Sequence, residues 1–271
     1  MKAAIQVDGL RKRYGSQTVL NGLQFEVLQG EIFALLGVNG AGKTTALECV
    51  EGLRKNDGGH IAVQGRMGIQ LQSASLPAHI RPMEAVRLFA KWNHAHVDPA
   101  MLDALGIDGL ANQPYGQLST GQKRRLHLAL ALIGDPDVIF LDEPTAGLDV
   151  EARVALHRLL GDLRAQGKTL CLASHDMAEV EGLCDHIAIL RHGQIVFSGT
   201  VDALTEKVGS RYTVLLQTTQ GDEQFETDSI GDALLALLED YKRRNIAVQD
   251  IRIDRGTLEQ HFLDIARGDE A

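Results

Sequence analysis

The sequence predicts an α/β protein whose core is a mostly parallel sheet covered by helices on both faces. Three observations carry that prediction. Four short, unbroken apolar runs, Ile32–Leu36, Val138–Leu141, Leu170–Ala173 and Ile187–Leu190, have the composition of strands buried on both sides. Segments with helical signals fall between them, and alternation of strand and helix is how a wound sheet is written in sequence. From about 76 to 134 strand signals give way to helical spacing, which predicts an inserted helical subdomain.

In chain order, Ala3, Ile5 and Val7, and later Leu23, Phe25 and Val27, alternate with polar residues as half-buried antiparallel strands do. A helix is expected from Thr44 to Val50, directly after Gly42. In the helical insert, Leu126, Ala129, Leu130 and Ile133 fall on one face. Glu151 to Gln166 reads as a helix stopped by Gly167. Beyond about Thr205 a weaker α+β pattern follows: a strand at Tyr212–Leu216, a helix near Ile230–Tyr241, a strand at Val248–Ile253, and a last helix opened by a Thr257/Gln260 capping box. The expected organisation is a main domain over 1–205 and a small C-terminal extension over 206–271, with no repeat and no low-complexity linker.

Composition limits the function. The 271 residues hold 27 Lys plus Arg against 36 Asp plus Glu, a net charge of −9, which argues against nucleic acid as a partner because phosphate-backbone binding needs clustered basic surface. Cys49, Cys171 and Cys184 are scattered with no Cys-x-x-Cys pair, so neither a disulfide framework nor a zinc site is expected and a reducing interior fits. His94 and His96 lack a third ligand, and Lys242-Arg243-Arg244 reads as a solvated helix end. The first residues turn polar at once and no apolar stretch nears the ~20 residues of a membrane span, so any membrane passage is expected from another polypeptide.

The chemistry is announced by Gly37-Val38-Asn39-Gly40-Ala41-Gly42-Lys43-Thr44-Thr45, which matches G-x-x-x-x-G-K-[ST] between an apolar run and a helix. Glycines let backbone N–H groups curl around a phosphate, the helix N-terminus adds partial positive charge, Lys43 reaches the outer phosphates, and the Thr44 hydroxyl can ligate Mg²⁺. A hundred residues on, Asp142-Glu143 closes a buried strand, where open α/β sheets bind ligands. There Asp142 can serve the metal while Glu143 polarises water as a general base; a solvated turn before Pro144 is the alternative.

With the cradle and the carboxylates in place, Leu118-Ser119-Thr120-Gly121-Gln122, followed by Lys123-Arg124-Arg125-Leu126, resembles the signature sequence Leu-Ser-Gly-Gly-Gln of the ABC (ATP-binding cassette) ATPases. Asp142 to Asp149 resembles that family's Walker B motif and D-loop, and Ser174-His175-Asp176 its switch histidine. The resemblance runs in the family's order from residue 3 to about 200. It implies a P-loop NTPase fold with a RecA-like core, an antiparallel β-subdomain and a helical subdomain. ATP and Mg²⁺ are the implied ligands, with Lys43, Thr44, Asp142 and His175 on one nucleotide. Ser119, Gly121 and Gln122, at the start of a helix, are implied to face the nucleotide held by a second subunit, with the Asp149 loop crossing the seam. Thr120 departs from the usual glycine, a place where altered turnover is the most to expect.

Two single positions and one segment complete the comparison. Tyr14 resembles the aromatic platform beneath adenine, an ordinary strand-end tyrosine being the alternative. Gln72 resembles the glutamine that senses metal and water, with Gln70 two residues away as the competitor. Thr257 to Leu263 looks like the ending common in exporter ATPases of drug, natural-product and polysaccharide permeases. The implied protein is a homodimer, or a heterodimer with a related ATPase, held by a transmembrane permease on the cytoplasmic face of the cell membrane and touching the membrane through that partner alone. ABC ATPases of chromosome upkeep, translation or repair are the second class; their coiled coils, tandem cassettes and zinc modules have no counterpart here.

Overall fold

The computed structural model describes residues 2–70, 75–208, 212–227, 229–255, 262 and 265. The chain divides into two compact units, Met1–Ser198 and Gly199–Ala271, each described by itself.

The first unit begins with two long antiparallel strands, β1 (Ala3–Tyr14) and β2 (Gln17–Leu28), joined through Gly15 at φ 59. The expected alternation is there, but both strands run well past the segments 3–7 and 23–27 because pairing continues to Tyr14 opposite Gln17. β3 (Ile32–Leu36) is buried along its whole length and leads through the glycine-rich loop into α1 (Lys43–Val50). β4 (Gly58–Val63) returns to β1, giving an antiparallel sheet of order β2-β1-β4. β5 (Met67–Gln70) follows.

The helical segment then supplies α2 (Pro82–Trp92), α3 (Pro99–Ala104) and α4 (Thr120–Leu132), with 3₁₀ turns at Asp108–Leu110 and Tyr115–Gln117. Asp98 caps α3 by accepting from the N–H of Ala100 at 2.9 Å. Leu126, Ala129, Leu130 and Ile133 are buried as the spacing predicts, yet Leu128, Ala131 and Leu132 are buried as well. The second half of α4 is therefore enclosed all round, which a one-face pattern does not foresee.

The remaining elements of this unit are β6 (Val138–Asp142), α5 (Val150–Ala165), β7 (Thr169–Ser174), α6 (Met177–Leu183), β8 (His186–Arg191) and β9 (Gln194–Thr200). The six-stranded sheet has the order β5-β6-β7-β3-β8-β9, and the pairs β5/β6, β6/β7, β7/β3 and β3/β8 are parallel. A two-residue turn, His192 and Gly193, both at positive φ, joins β8 to β9. The antiparallel sheet packs on this one through Phe25 and Phe33, whose rings stack at 5.3 Å, inside a core that also takes Ile5, Val7, Leu35 and Leu47. Truncating such a buried ring costs about 3–5 kcal/mol. Parallel strands place their C-terminal ends on one side, so Leu36, Asp142 and Ser174 are neighbours at the same rim.

The second unit contains α7 (Val201–Val208), β10 (Tyr212–Thr218), β11 (Gly221–Thr227), α8 (Ile230–Arg243) and β12 (Val248–Arg255). Its antiparallel sheet runs β11-β10-β12 and buries Val214 and Leu216 against Tyr241 and Ile246. Tyr241 donates its hydroxyl to Glu223 Oε2 at 2.6 Å. Arg243 and Arg244, on the expected solvated helix end, pair with Asp240. Strand β11 has no sequence-based counterpart, and the Thr257/Gln260 capping box lies outside the described residues. No described helix is long and apolar enough to cross a membrane.

Candidate active site

The cradle is built where β3 ends. Gly37 leaves the strand so close to β8 that an added Cβ would lie 2.6 Å from the Leu190 carbonyl oxygen, and Gly40 and Gly42 hold φ values of 83 and 107. These positions need glycine for different reasons, contact at the first and backbone handedness at the other two. Gly42 caps α1 without a side chain, so no side-chain acceptor competes for the helix's first N–H groups, as a phosphate site requires. Asn39 and Gly40 are exposed at the lip, whereas Ala41 and Lys43 are buried. Lys43 Nζ donates to the Gly37 carbonyl at 2.7 Å and lies 3.7 Å from Glu143 Oε1. Burial pulls the lysine pKa below its ordinary value, and the charges of Glu143 and Asp142 oppose that shift in part.

Asp142 and Glu143, at the end of β6, are 4% and 6% exposed, which excludes a solvated turn. Glu143 occupies the left-handed region at φ 50, a conformation that costs a non-glycine residue about 1–3 kcal/mol and survives where its surroundings over-determine it. They do so here. Its N–H donates to the Ala173 carbonyl at 2.9 Å, its own carbonyl accepts from Arg124, Oε1 faces Lys43, and Oε2 lies 2.7 Å from His175 Nδ1. Burial raises the Asp142 pKa, opposed first by a hydrogen bond from the Thr44 hydroxyl, and Asp142 Oδ1 is buried with no hydrogen-bond partner. An orphaned carboxylate oxygen beside a threonine hydroxyl suits a small hard cation that takes its other ligands from phosphate and water. Among the described residues no group of three or more His, Cys, Asp and Glu could hold a metal unaided.

Behind the rim, Glu179 of α6 is 1% exposed and accepts from the hydroxyls of Ser174 at 2.7 Å and Thr145 at 3.1 Å. It ties the segment after β6 to the end of β7. Neither Glu179 nor Arg124 was foreseen as part of the site, though an acid among the apolar Met177 and Val180, and an arginine heading into a buried helix, are the signals each left in the sequence.

Comparison with known proteins settles the family. Residues 20–146 match the family model for "ABC transporter". The Nod factor export ATP-binding protein I of Burkholderia lata is 39% identical over 223 residues, covering 75% of this chain and 73% of that protein. Its namesake in Rhizobium sp. (strain N33) is 38% identical over 224 residues, covering 76% and 74%. The chain belongs to the ABC transporter ATP-binding family. A solved ATP-binding subunit of an ABC transporter superposes with a TM-score of 0.69 at 27% identity, over 76% of this chain and 93% of that one. A nucleotide-free ABC cassette, at 21% identity and a TM-score of 0.65 over 73% and 92%, shares the fold. This ABC protein is thus an ATP-binding subunit and an ATPase.

Ser119 and Asp149, two further expected positions of the ABC ATPase, stand at helix N-termini. Ser119 caps α4, its Oγ accepting from Gln122 N–H at 3.2 Å while Gln122 Oε1 accepts from Ser119 N–H at 2.8 Å. A Cβ on Gly121 would meet Leu148, and one on Gly147 would meet Thr120, so the signature and the segment before α5 pack together within one chain. Asp149 caps α5 by accepting from Ala152 N–H at 2.8 Å. Thr45 is half-buried in the first turn of α1. Tyr14 is 41% exposed at the end of β1, with Lys12 Nζ at 5.6 Å and the Arg54 guanidinium at 5.4 Å from its ring. Gln72 lies outside the described residues; Gln70 ends β5 opposite Leu141, buried, with Oε1 unpartnered.

Proposed function

We propose that this ABC ATPase powers export through a membrane permease by closing and reopening a dimer around ATP. The convergence of Lys43, Glu143 and His175 at one rim is the observation that carries the reading. Lys43 and the N–H groups of residues 37–45 grip the phosphates, and Glu143 accepts a proton from the attacking water. His175 orients Glu143 and reaches the γ-phosphate. Thr44 and Asp142 would hold Mg²⁺, whose charge would offset that of the phosphate oxygens, and Gln72 would sense metal and water. Tyr14 stacks on the adenine.

Ser119, Gly121 and Gln122 each serve the nucleotide of the opposite subunit, and Asp149 belongs to the loop that crosses between them. Export follows from the likeness to the Nod factor export ATP-binding proteins, which covers about three quarters of both chains. Binding energy differing between open and closed states drives the permease, to which the chain is attached on the cytoplasmic face of the cell membrane. The segment over 206–271 serves regulation or dimer support beside the 1–205 ATPase domain.

The test is phosphate release and mass in solution for the purified chain in magnesium-ATP, with and without the membrane companion recovered with it. Hydrolysis, together with ATP-trapped dimers of the Glu143→Gln chain, is the expected result. A chain that stays monomeric and releases no phosphate under both conditions overturns the proposal.

A further inference from the structure

Arg124 bridges two parts of the site that family motifs treat separately. It lies in α4, the helix capped by Ser119, and its guanidinium donates to the backbone carbonyl of Glu143. Arg124 stands five positions after the capping Ser119 on one continuous helix, a rise of about 7.5 Å, so the two move as one stiff body. At the far end of the bridge, Glu143 has its N–H already committed to the Ala173 carbonyl and its φ at 50. The arginine bond fixes the peptide that follows Glu143, while the bond to Ala173 fixes the one before it. Between those two anchors the carboxylate is aimed at Lys43 and His175.

The surroundings suit an arginine. Asp142, Glu143 and Glu179 all act on its charge, and the half-buried side chain offers a planar fork of donors rather than a single point. A residue that merely filled space beside α5 would need neither the charge nor the reach to a main-chain carbonyl on another element.

We infer that Arg124 is a positioning residue that couples the signature end of α4 to the aim of the Glu143 carboxylate. Movement of Ser119 toward a nucleotide on the opposite subunit is passed through the helix and the guanidinium to the Glu143 carbonyl. This rests on the reading of Glu143 as the general base and of Ser119 as a contact to the partner's nucleotide.

The experiment compares purified full chains carrying Arg124→Ala, Arg124→Lys, Glu143→Gln, and Arg124→Ala combined with Glu143→Gln. Each is measured for magnesium-ATP turnover, single-turnover rate, ATP affinity and melting temperature. Arg124→Ala is expected to lose on the order of a hundredfold in kcat, the cost of a misplaced catalytic group, with ATP affinity and KM held within about twofold. Arg124→Lys, keeping charge but offering one compact donor, regains part of that loss. In the Glu143→Gln background Arg124→Ala changes the residual single-turnover rate less than about twofold, since both substitutions act through the same carboxylate.

Wild-type kcat in a folded Arg124→Ala chain, beside an inactive Glu143→Gln chain, overturns the Arg124 proposal alone. So does a fall in ATP affinity that matches the fall in kcat, or a full further loss in the double variant. Wild-type hydrolysis by Glu143→Gln overturns the base assignment and the proposal with it.

Discussion

His175 Nδ1 lies 2.7 Å from Glu143 Oε2, although the two residues are 32 positions apart in sequence. They meet because β6 and β7 are adjacent parallel strands, with Asp142 level with Ala173, so the residues just beyond each strand share one rim. Replacing His175 by Ala removes the hydrogen-bonding partner of Glu143, the proposed base. Turnover is expected to fall by about a hundredfold or more, with ATP affinity little changed. Phosphate release beside a nucleotide titration reads both; wild-type turnover would remove the pair from the chemistry.

Lys43→Ala addresses binding. The ammonium is buried between the Gly37 carbonyl and Glu143, and its loss takes a charge-assisted contact from the nucleotide worth about 1.5–3 kcal/mol. Titration with labelled ATP should show an affinity at least about tenfold weaker. Undiminished affinity would contradict the phosphate contact.

Two glycines separate crowding from backbone handedness. Gly37→Ala drives a methyl group to within 2.6 Å of the Leu190 carbonyl, a backbone atom that cannot swing away, and should cost about 1–3 kcal/mol together with ATP affinity. Gly40→Ala meets no atom within 4 Å but must hold φ at 83, costing about 1–2 kcal/mol. Melting curves of the two variants give the comparison. A Gly37→Ala chain as stable as the parent would mean that β3 and β8 part more readily there than the packing implies.

Glu51 supplies a pH test. It is buried at the end of α1 with Oε2 unpartnered, and burial, then the charges of Asp142 and Glu48, push its pKa up to about 7. A carboxyl with a raised folded-state pKa is protonated in both states at low pH and carries no penalty there. Between about pH 4.5 and about pH 7 the unfolded chain ionises first, so stability falls as pH rises, and above that range the loss is constant. Glu51→Gln should therefore be more stable than the parent at pH 8, by about 3 kcal/mol, and equal to it near pH 4. Melting temperature against pH checks the sign; an advantage that grows toward acid would refute the account.

Removing the metal tests Asp142. Its Oδ1 has no partner within the protein, so chelation of magnesium, or Asp142→Asn, should abolish phosphate release while leaving measurable, weaker ATP binding. Hydrolysis that persists in a chelator would show that the orphaned oxygen serves another purpose.

Much of this was legible before folding was considered. The strands β3, β6, β7 and β8 are buried on both faces and so appear as unbroken apolar runs, and the phosphate loop, the carboxylate pair and the signature are contiguous stretches whose chemistry is local. β4, β5, β9 and β11 were not legible. Each lies at the edge of its sheet, and their half-exposed or polar sequences, such as Gly221–Thr227, carry no two-sided burial to betray them.

The sequence by itself determined which side chains the site owns, Lys43 in its glycine loop, Asp142 and Glu143 after an apolar strand, His175 after another, because each depends on neighbours a few residues away. Only the tertiary structure decided that they meet. Strand order puts β7 between β3 and β6, so His175 emerges beside Glu143, and it brings Arg124 to the Glu143 carbonyl and Glu179 beneath Ser174 and Thr145. Those contacts join residues on different elements, and pairing of strands far apart in the chain is set by packing of the whole core rather than by any local pattern.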